Sequence, residues 1–312
     1  MLDEYTHKVV LVGDGAVGSA FAFSLLQSTH EIDELVIVDR NQQKATGDAI
    51  DLADITPLTS PARVIAGNYA DASNADVVVI TAGVARKPGE SRLDLVNKNA
   101  AILKSIVDPV VAAGFRGVFV ISSNPVDILT TLTQRLSGFP KERVIGAGTS
   151  LDSMRLRILL SHRLHLSVNA VDAQILGEHG DTSFAAFNEI TINGKPLAER
   201  AQLTSQDKAQ IEDDVHQAGG KIIGNKGATF YGVAKCLAYI TSAIIENRNV
   251  ALPISAPLEG QYGIDGLYLG SPAVINSQGI GQVIEYPLTD DELAKMKHSA
   301  SAMKQVLDSI EL

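Results

Sequence analysis

Val9-Val10-Leu11-Val12-Gly13-Asp14-Gly15-Ala16-Val17-Gly18, followed by the apolar stretch Ala20 to Leu26 and the run Leu35 to Val38 ending at Asp39, decides the fold. The opening apolar run suits a strand buried on both faces, and the stretch after the glycines has helical character. Strand, glycine turn, helix and second strand make a compact βαβ unit. Gly13 permits a tight turn, Gly15 lets backbone approach a pyrophosphate, and Gly18 lets helix and strand pack closely. Backbone N–H groups of Ala16 and Val17 at the helix start then face the anion. Asp39 follows Gly18 by 21 residues, where a carboxylate can accept hydrogen bonds from an adenosine ribose. It would repel a 2′-phosphate, which favours NAD over NADP. A glycine turn in a ligand-free α/β domain is the other reading, and the agreement of strand, helix and acid weighs against it.

The chain has 312 residues, 45% hydrophobic and 20% charged, with a formal net charge of -10. Its length favours two packed domains with a substantial core. The acidic balance, with no basic run or stripe, disfavours nucleic acid. Cys236 is the one cysteine, so an intrachain disulfide or a thiolate zinc cluster is excluded and no metal is expected. Met1-Leu2-Asp3-Glu4-Tyr5 lacks a signal peptide's basic and apolar regions, and no apolar run approaches membrane-spanning length. A cytoplasmic location is the expectation.

Beyond Asp39 the pattern continues with a polar helix from Gln42 to about Asp54, a short strand around Val64 and a strong one from Val77 to Thr81. This alternation predicts a doubly wound parallel sheet, whose ligands bind at the carboxyl ends of the strands. Thr81-Ala82-Gly83 sits at one such end, and Ser122-Ser123-Asn124-Pro125, after strand Val118 to Ile121, at another. Between them, Val84 to Arg92 carries Arg86, Lys87 and Arg92 around a Pro88-Gly89 turn. Cations beside a cofactor mouth suggest a closing loop and an anionic substrate; a solvated surface loop is equally compatible. The next helix carries Asn97, Asn99, Ile102 and Ile106, with a kink expected at Pro109. Helix Val126 to Leu136 and strand Val144-Ile145 complete six strands in about 145 residues, a dinucleotide domain over 1–147.

The remainder, 148–312, must bring the substrate. Thr149 or Ser150 can cap a helix on which Asp152 and Arg155, three apart, share a face while Arg157 points elsewhere. A surface salt bridge is the plain alternative for that pair. Ala173 to Leu176 reads as a strand leading into Gly177-Glu178-His179-Gly180-Asp181. His179 has the most unusual setting of the seven histidines, though a loop histidine without a role is common. Asn193-Gly194 signals a hairpin. Long helices from Ser205 to Ile223 and Thr229 to Glu246, strands at Val250–Ile254, Leu267–Leu269, Ala273–Ile275 and Val283–Ile284, and a helix from Asp290 to Ile310 give this half an α+β character.

The chain resembles the L-lactate and L-malate dehydrogenase family along nearly its whole length, and most closely the L-lactate dehydrogenases of lactic acid bacteria. The matching stretches are the glycine motif, Gly89-Glu90-Ser91-Arg92-Leu93-Asp94-Leu95-Val96, Asn124-Pro125-Val126-Asp127, Leu151-Asp152-Ser153-Met154-Arg155, Gly177 to Asp181 and Lys226-Gly227-Ala228-Thr229. The resemblance implies reversible hydride transfer between nicotinamide and C2 of a small 2-oxo or 2-hydroxy acid. His179 would exchange the proton and Asp152 would orient its imidazole. Arg155 would hold the carboxylate through two parallel hydrogen bonds, and Arg92 would polarise the C2 carbonyl. Asn124 and Thr229 would border the substrate; Gly83, Asn99 and Ser122 would join the glycine motif and Asp39 around NAD. A homotetramer is the family habit.

Two positions depart from the lactate pattern. Lactate dehydrogenases usually hold glutamine where this chain has Arg86, and malate dehydrogenases hold arginine, so the resemblance points at oxaloacetate; Thr229 and its surroundings resemble the lactate enzymes, which keeps pyruvate as the alternative. In sugar-bisphosphate-activated relatives an arginine and a histidine bind phosphate at a subunit interface. Arg157 matches the first, while Asp172 stands in place of the second and is expected to repel phosphate and neutralise Arg157 across that interface. No activation by fructose 1,6-bisphosphate follows. Other classes fare worse: an NAD-dependent glycoside hydrolase needs a metal held partly by cysteine and histidine, and Cys236 has no histidine close in sequence. A non-catalytic NAD-binding protein would have no reason to keep Arg92, Asp152, Arg155 and His179 together.

Overall fold

The computed structural model describes residues 7–85 and 92–310. Six parallel strands come from the first half of the chain: β1 (Lys8–Val12), β2 (Glu34–Val38), β3 (Arg63–Ala66), β4 (Val77–Ile80), β5 (Val118–Ile121) and β6 (Val144–Gly146). Their spatial order is β3-β2-β1-β4-β5-β6, which reverses beside β1 and so opens a crevice between the ends of β1 and β4. Strands this apolar have both faces covered. Val9 and Leu11 pack with α1 (Ala16–Leu26), α2 (Gln42–Ile55) and α7 (Tyr231–Ile245). Val10 and Val12 face the opposite cluster, built with α3 (Arg92–Ala112), α4 (Val126–Ser137) and α8 (Asp290–Asp308). Helix α3 runs through Pro109 without interruption.

The second half contributes α5 (Ser150–Arg163), α6 (Ser205–Lys226) and five two-residue strands: β7 (Val171–Asp172), β8 (Ile175–Leu176), β9 (Phe184–Ala185), β10 (Thr191–Ile192) and β11 (Lys195–Pro196). Asn193 and Gly194 both take positive φ between β10 and β11, the mirror-image turn expected of that dipeptide. Three further strands, β12 (Val250–Glu259), β13 (Asp265–Asn276) and β14 (Gly279–Val283), join the nine-stranded sheet in the order β6-β12-β13-β14, antiparallel. The sheet therefore continues past β6 with strands from the second half.

Three expectations need correction. Leu267–Leu269 and Ala273–Ile275 belong to one strand: Gly270, Ser271 and Pro272 look like a break, yet Pro272 sits opposite Pro253 in an unbroken register. Ala173 to Leu176 is no continuous strand, since only its last two residues pair, with β9. Thr149 is the N-cap residue of α5, as expected, yet neither its side chain nor that of Ser150 makes a capping bond. The Thr149 hydroxyl is buried without a partner, and Ser150 Oγ donates to the Pro253 carbonyl 2.5 Å away.

Candidate active site

At the crevice, Gly13 adopts φ 102°, and a Cβ there would lie 2.4 Å from the Ala82 backbone nitrogen. At Gly18 a Cβ would lie 2.0 Å from the Gly13 carbonyl oxygen. Both glycines are demanded by packing. Gly15 differs, because a Cβ there would meet nothing within 4 Å. It is the N-cap of α1, with no side-chain cap and no acid in the first turn. The free N–H groups of that turn, at Ala16, Val17 and Gly18, therefore face open ground suited to an anion. Asp39 is held beside them: Oδ2 accepts the Asp14 N–H at 2.7 Å and Oδ1 accepts the Asn41 N–H at 2.8 Å. Each carboxylate oxygen keeps a lone pair for ribose hydroxyls. These residues fit a dinucleotide.

Asp14 itself points inward. Burial lifts its pKa to about 6 against the pull of Lys44, whose ammonium lies 2.8 Å from it.

The strand-end segments are tied together by Asn99. Its Oδ1 accepts the Val84 N–H at 2.9 Å, while Nδ2 donates to Val84 O and, at 2.7 Å, to Asn124 O. Both amide protons are spent on backbone, so Asn99 shapes the loops after β4 and β5. Gly83 lies against it, an added Cβ being 3.4 Å from Asn99 Oδ1.

Next to these ends is a cavity of about 320 Å³. Val17, Ser122, Asn124, Asp152, Arg155, His179 and Thr229 all line it. Residues up to 212 positions apart, from Val17 to Thr229, are thus gathered at one place. Arg86, and the side chain of Arg92 at the start of α3, lie outside the described residues.

Asp152, on the first turn of α5, is the centre of the cluster. Its Oδ2 lies 2.6 Å from His179 Nδ1 and its Oδ1 accepts from Arg155 Nη1 at 3.0 Å. The Asp152 and Arg155 side chains are 8% and 14% exposed, so this is no surface pair. Burial works to raise the Asp152 pKa, but the charge and hydrogen bond of His179, followed by Arg155, outweigh it and hold the carboxyl below its ordinary value. Burial likewise works to lower His179, and the Asp152 charge, the Asp152 hydrogen bond and Asp127 outweigh it, so the imidazole is raised. An ionised carboxylate only accepts, so Nδ1 keeps its proton in both charge states and Nε2 is the nitrogen that titrates.

Two partners escape a sequence reading. Asp127, on the first turn of α4, accepts the His179 backbone N–H at 2.7 Å through Oδ2, and Ser255 Oγ donates to its Oδ1. Asp127 is 3% exposed, and burial lifts its pKa to about 6. An acid two residues after a strand-end Asn-Pro is a usable signal for Asp127; Ser255, 128 residues away, gives none. The expected pairing of Arg157 with Asp172 across an interface is corrected as well. Arg157 Nη2 meets Asp172 Oδ1 at 2.5 Å within the same chain, and Nε donates to the Ala173 carbonyl at 3.2 Å. β7 carries Asp172 back alongside α5, which brings the two together without a partner.

Fold and cluster together define a dinucleotide-dependent oxidoreductase with a histidine–aspartate pair and a largely enclosed arginine in a cavity beside the crevice. Residues 7–146 match the lactate/malate dehydrogenase NAD binding domain and residues 149–311 the lactate/malate dehydrogenase alpha/beta C-terminal domain. The chain belongs to the lactate/malate dehydrogenase family. It is 60% identical to the L-lactate dehydrogenase of Lactobacillus delbrueckii subsp. bulgaricus, over 98% of this chain and 99% of that one. It is 58% identical to L-lactate dehydrogenase 2 of Lactobacillus acidophilus, over 98% of this chain and all of that one (100%). The crystal structure of minor L-lactate dehydrogenase from Enterococcus mundtii in its ligands-bound form superposes with a TM-score of 0.94 at 40% identity, covering 99% of this chain and 100% of that one.

Proposed function

We propose that the chain reduces a small 2-oxo acid with NADH, and oxidises the corresponding L-2-hydroxy acid in reverse, with Arg86 favouring oxaloacetate and L-malate. The observation that carries the chemistry is the bond from Asp152 to His179 beside Arg155. NADH supplies the hydride at C4 of its nicotinamide. His179 Nε2 gives its proton to the oxygen forming at C2, and the raised imidazole keeps that proton available. Asp152 fixes the ring and steadies its charge as the proton leaves and returns. Arg155 offers a planar fork to the C1 carboxylate, a match that an ammonium cannot copy. Arg92 polarises the carbonyl where negative charge builds.

Cofactor contacts fall to Gly13, Gly15, Ala16, Val17, Gly18 and Asp39, with Gly83, Asn99 and Ser122 shaping the nicotinamide end; Asn124 and Thr229 border the substrate. The division into a cofactor domain, 1–147, and a substrate domain, 148–312, belongs to the same reading, as do a cytoplasmic location and a homotetramer.

The guanidinium of Arg86 would pair with the second carboxylate of oxaloacetate, whereas beside the methyl of pyruvate it would lose water without a partner. Charge-assisted hydrogen bonds contribute roughly 1.5 to 3 kcal/mol, about ten- to a hundredfold in selectivity. Pyruvate and L-lactate form the second reading, favoured by relatives at 60% and 58% identity that are L-lactate dehydrogenases. Steady-state rates with the two oxo acids at equal NADH decide between them. A preference for oxaloacetate that Arg86→Gln reverses supports the first; a large preference for pyruvate ends it.

A further inference from the structure

One wall of the cavity is a face of α6. His216, Gly219, Gly220 and Ile223 all line it, at the i, i+3, i+4, i+7 spacing of a single helical face. At its centre are two adjacent glycines in the interior of a 22-residue helix. Each weakens a helix relative to alanine, and the fold demands neither. Neither has positive φ. A Cβ at Gly219 would lie 3.6 Å from Arg155 Nη2, ordinary contact, and one at Gly220 would meet nothing within 4 Å. Gly232 on α7 shows the contrast, since a Cβ there would run into Leu151 Cδ1 at 2.7 Å. What the pair leaves is room beside the arginine assigned to the substrate carboxylate.

The helix cannot settle inward to fill that room. Ser183 Oγ donates to the Gly180 carbonyl at 2.9 Å, so it is free to accept from His216 Nε2 at 2.8 Å. One turn earlier, Glu212 Oε1 accepts the Ala185 N–H at 3.0 Å and both its oxygens meet Lys295 Nζ. These bonds fasten α6 to the segment that carries His179. Gly220 is exposed, so the space beside it continues to solvent, and a long substituent can extend instead of folding back.

We infer that Gly219 and Gly220 are specificity-determining residues that admit 2-oxo acids with a branched or aromatic C3 substituent. This rests on the reading of the cavity as a 2-oxo acid site. In that reading Arg86 bears on the substituent's charge; the glycine pair bears on its girth. Methyl groups at both positions would take back the space, and a single methylene in such a pocket changes discrimination by about 10- to 200-fold.

The test is NADH oxidation by the wild-type enzyme and the Gly219→Ala/Gly220→Ala double variant with pyruvate, oxaloacetate, 4-methyl-2-oxopentanoate and phenylpyruvate, alongside thermal melting. The wild type is expected to reduce the two bulky acids. In the double variant the ratio of their kcat/KM to that of the better small acid should fall about tenfold or more. A wild type that reduces the small acids but neither bulky one overturns the inference and leaves the 2-oxo acid site standing. A ratio moved less than threefold overturns it too, and if the melting temperature rises at the same time the glycines serve only to loosen the helix. A wild type inactive on all four acids removes the underlying reading, and this inference with it.

Discussion

Asp152 Oδ2 lies 2.6 Å from His179 Nδ1, and the other oxygen of the same carboxylate holds Arg155. One side chain thereby holds both the imidazole and the guanidinium, and the spacing between them is built into α5 and the loop after β8.

Asp152→Asn removes the charge that lifts His179. Reduction needs the protonated imidazole, so activity is lost as pH rises through the His179 pKa. In the variant that loss should come at lower pH, and kcat/KM for the oxo acid should fall by about 10²- to 10⁴-fold, the usual worth of a general acid. A pH profile of kcat/KM that falls at the same pH in both proteins would contradict the role given to Asp152.

Arg155→Lys keeps the positive charge and loses the fork. One charge-assisted hydrogen bond contributes roughly 1.5 to 3 kcal/mol, so kcat/KM for the oxo acid should drop about ten- to a hundredfold with NADH affinity unchanged. Steady-state kinetics with fluorescence titration of NADH separates the two quantities.

Asp127 bears on stability. Its folded pKa is raised to about 6 by burial, whereas an unfolded aspartate titrates near about 3.9. The native state therefore binds the proton more tightly, and stability from this group falls as pH rises from about 4 to about 6, then stays level. Asp14, also raised to about 6, adds a slope of the same sign. Asp127→Asn should flatten the slope without abolishing it, as urea midpoints between pH 4 and pH 7 will show. The same variant should lower the His179 pKa, since Asp127 helps to hold it up.

Arg157 is already paired with Asp172. Fructose 1,6-bisphosphate should leave the KM for the oxo acid unchanged, and Asp172→His should create sensitivity to it. A fall in KM in the unaltered protein would show that phosphate displaces the aspartate.

Much of this was legible in the chain itself. The glycine motif declared the βαβ unit because Gly13 and Gly18 meet backbone at distances no Cβ allows, and the apolar runs marked β1, β4 and β5 because both faces of the sheet are covered. Asp152, Arg155 and His179 were singled out on helical spacing and glycine flanks, while the resemblance supplied their roles. Long-range pairing was not legible. β13 was split because Gly270 and Pro272 carry a local signal that its register with β12 overrides. Ser255 reaches Asp127, and β7 swings Asp172 onto Arg157, through folding that no nearby residue announces. The opening of α6 at Gly219 and Gly220 also needed the cavity to be seen.

The central claim is that His179 carries the proton. Its most direct test is steady-state NADH oxidation with pyruvate and oxaloacetate by the wild-type protein and by His179→Asn, with NADH affinity measured in parallel. The expected result is a loss in kcat of about 10²-fold or more on whichever acid the wild type prefers, with NADH bound as before; undiminished turnover by His179→Asn would contradict it.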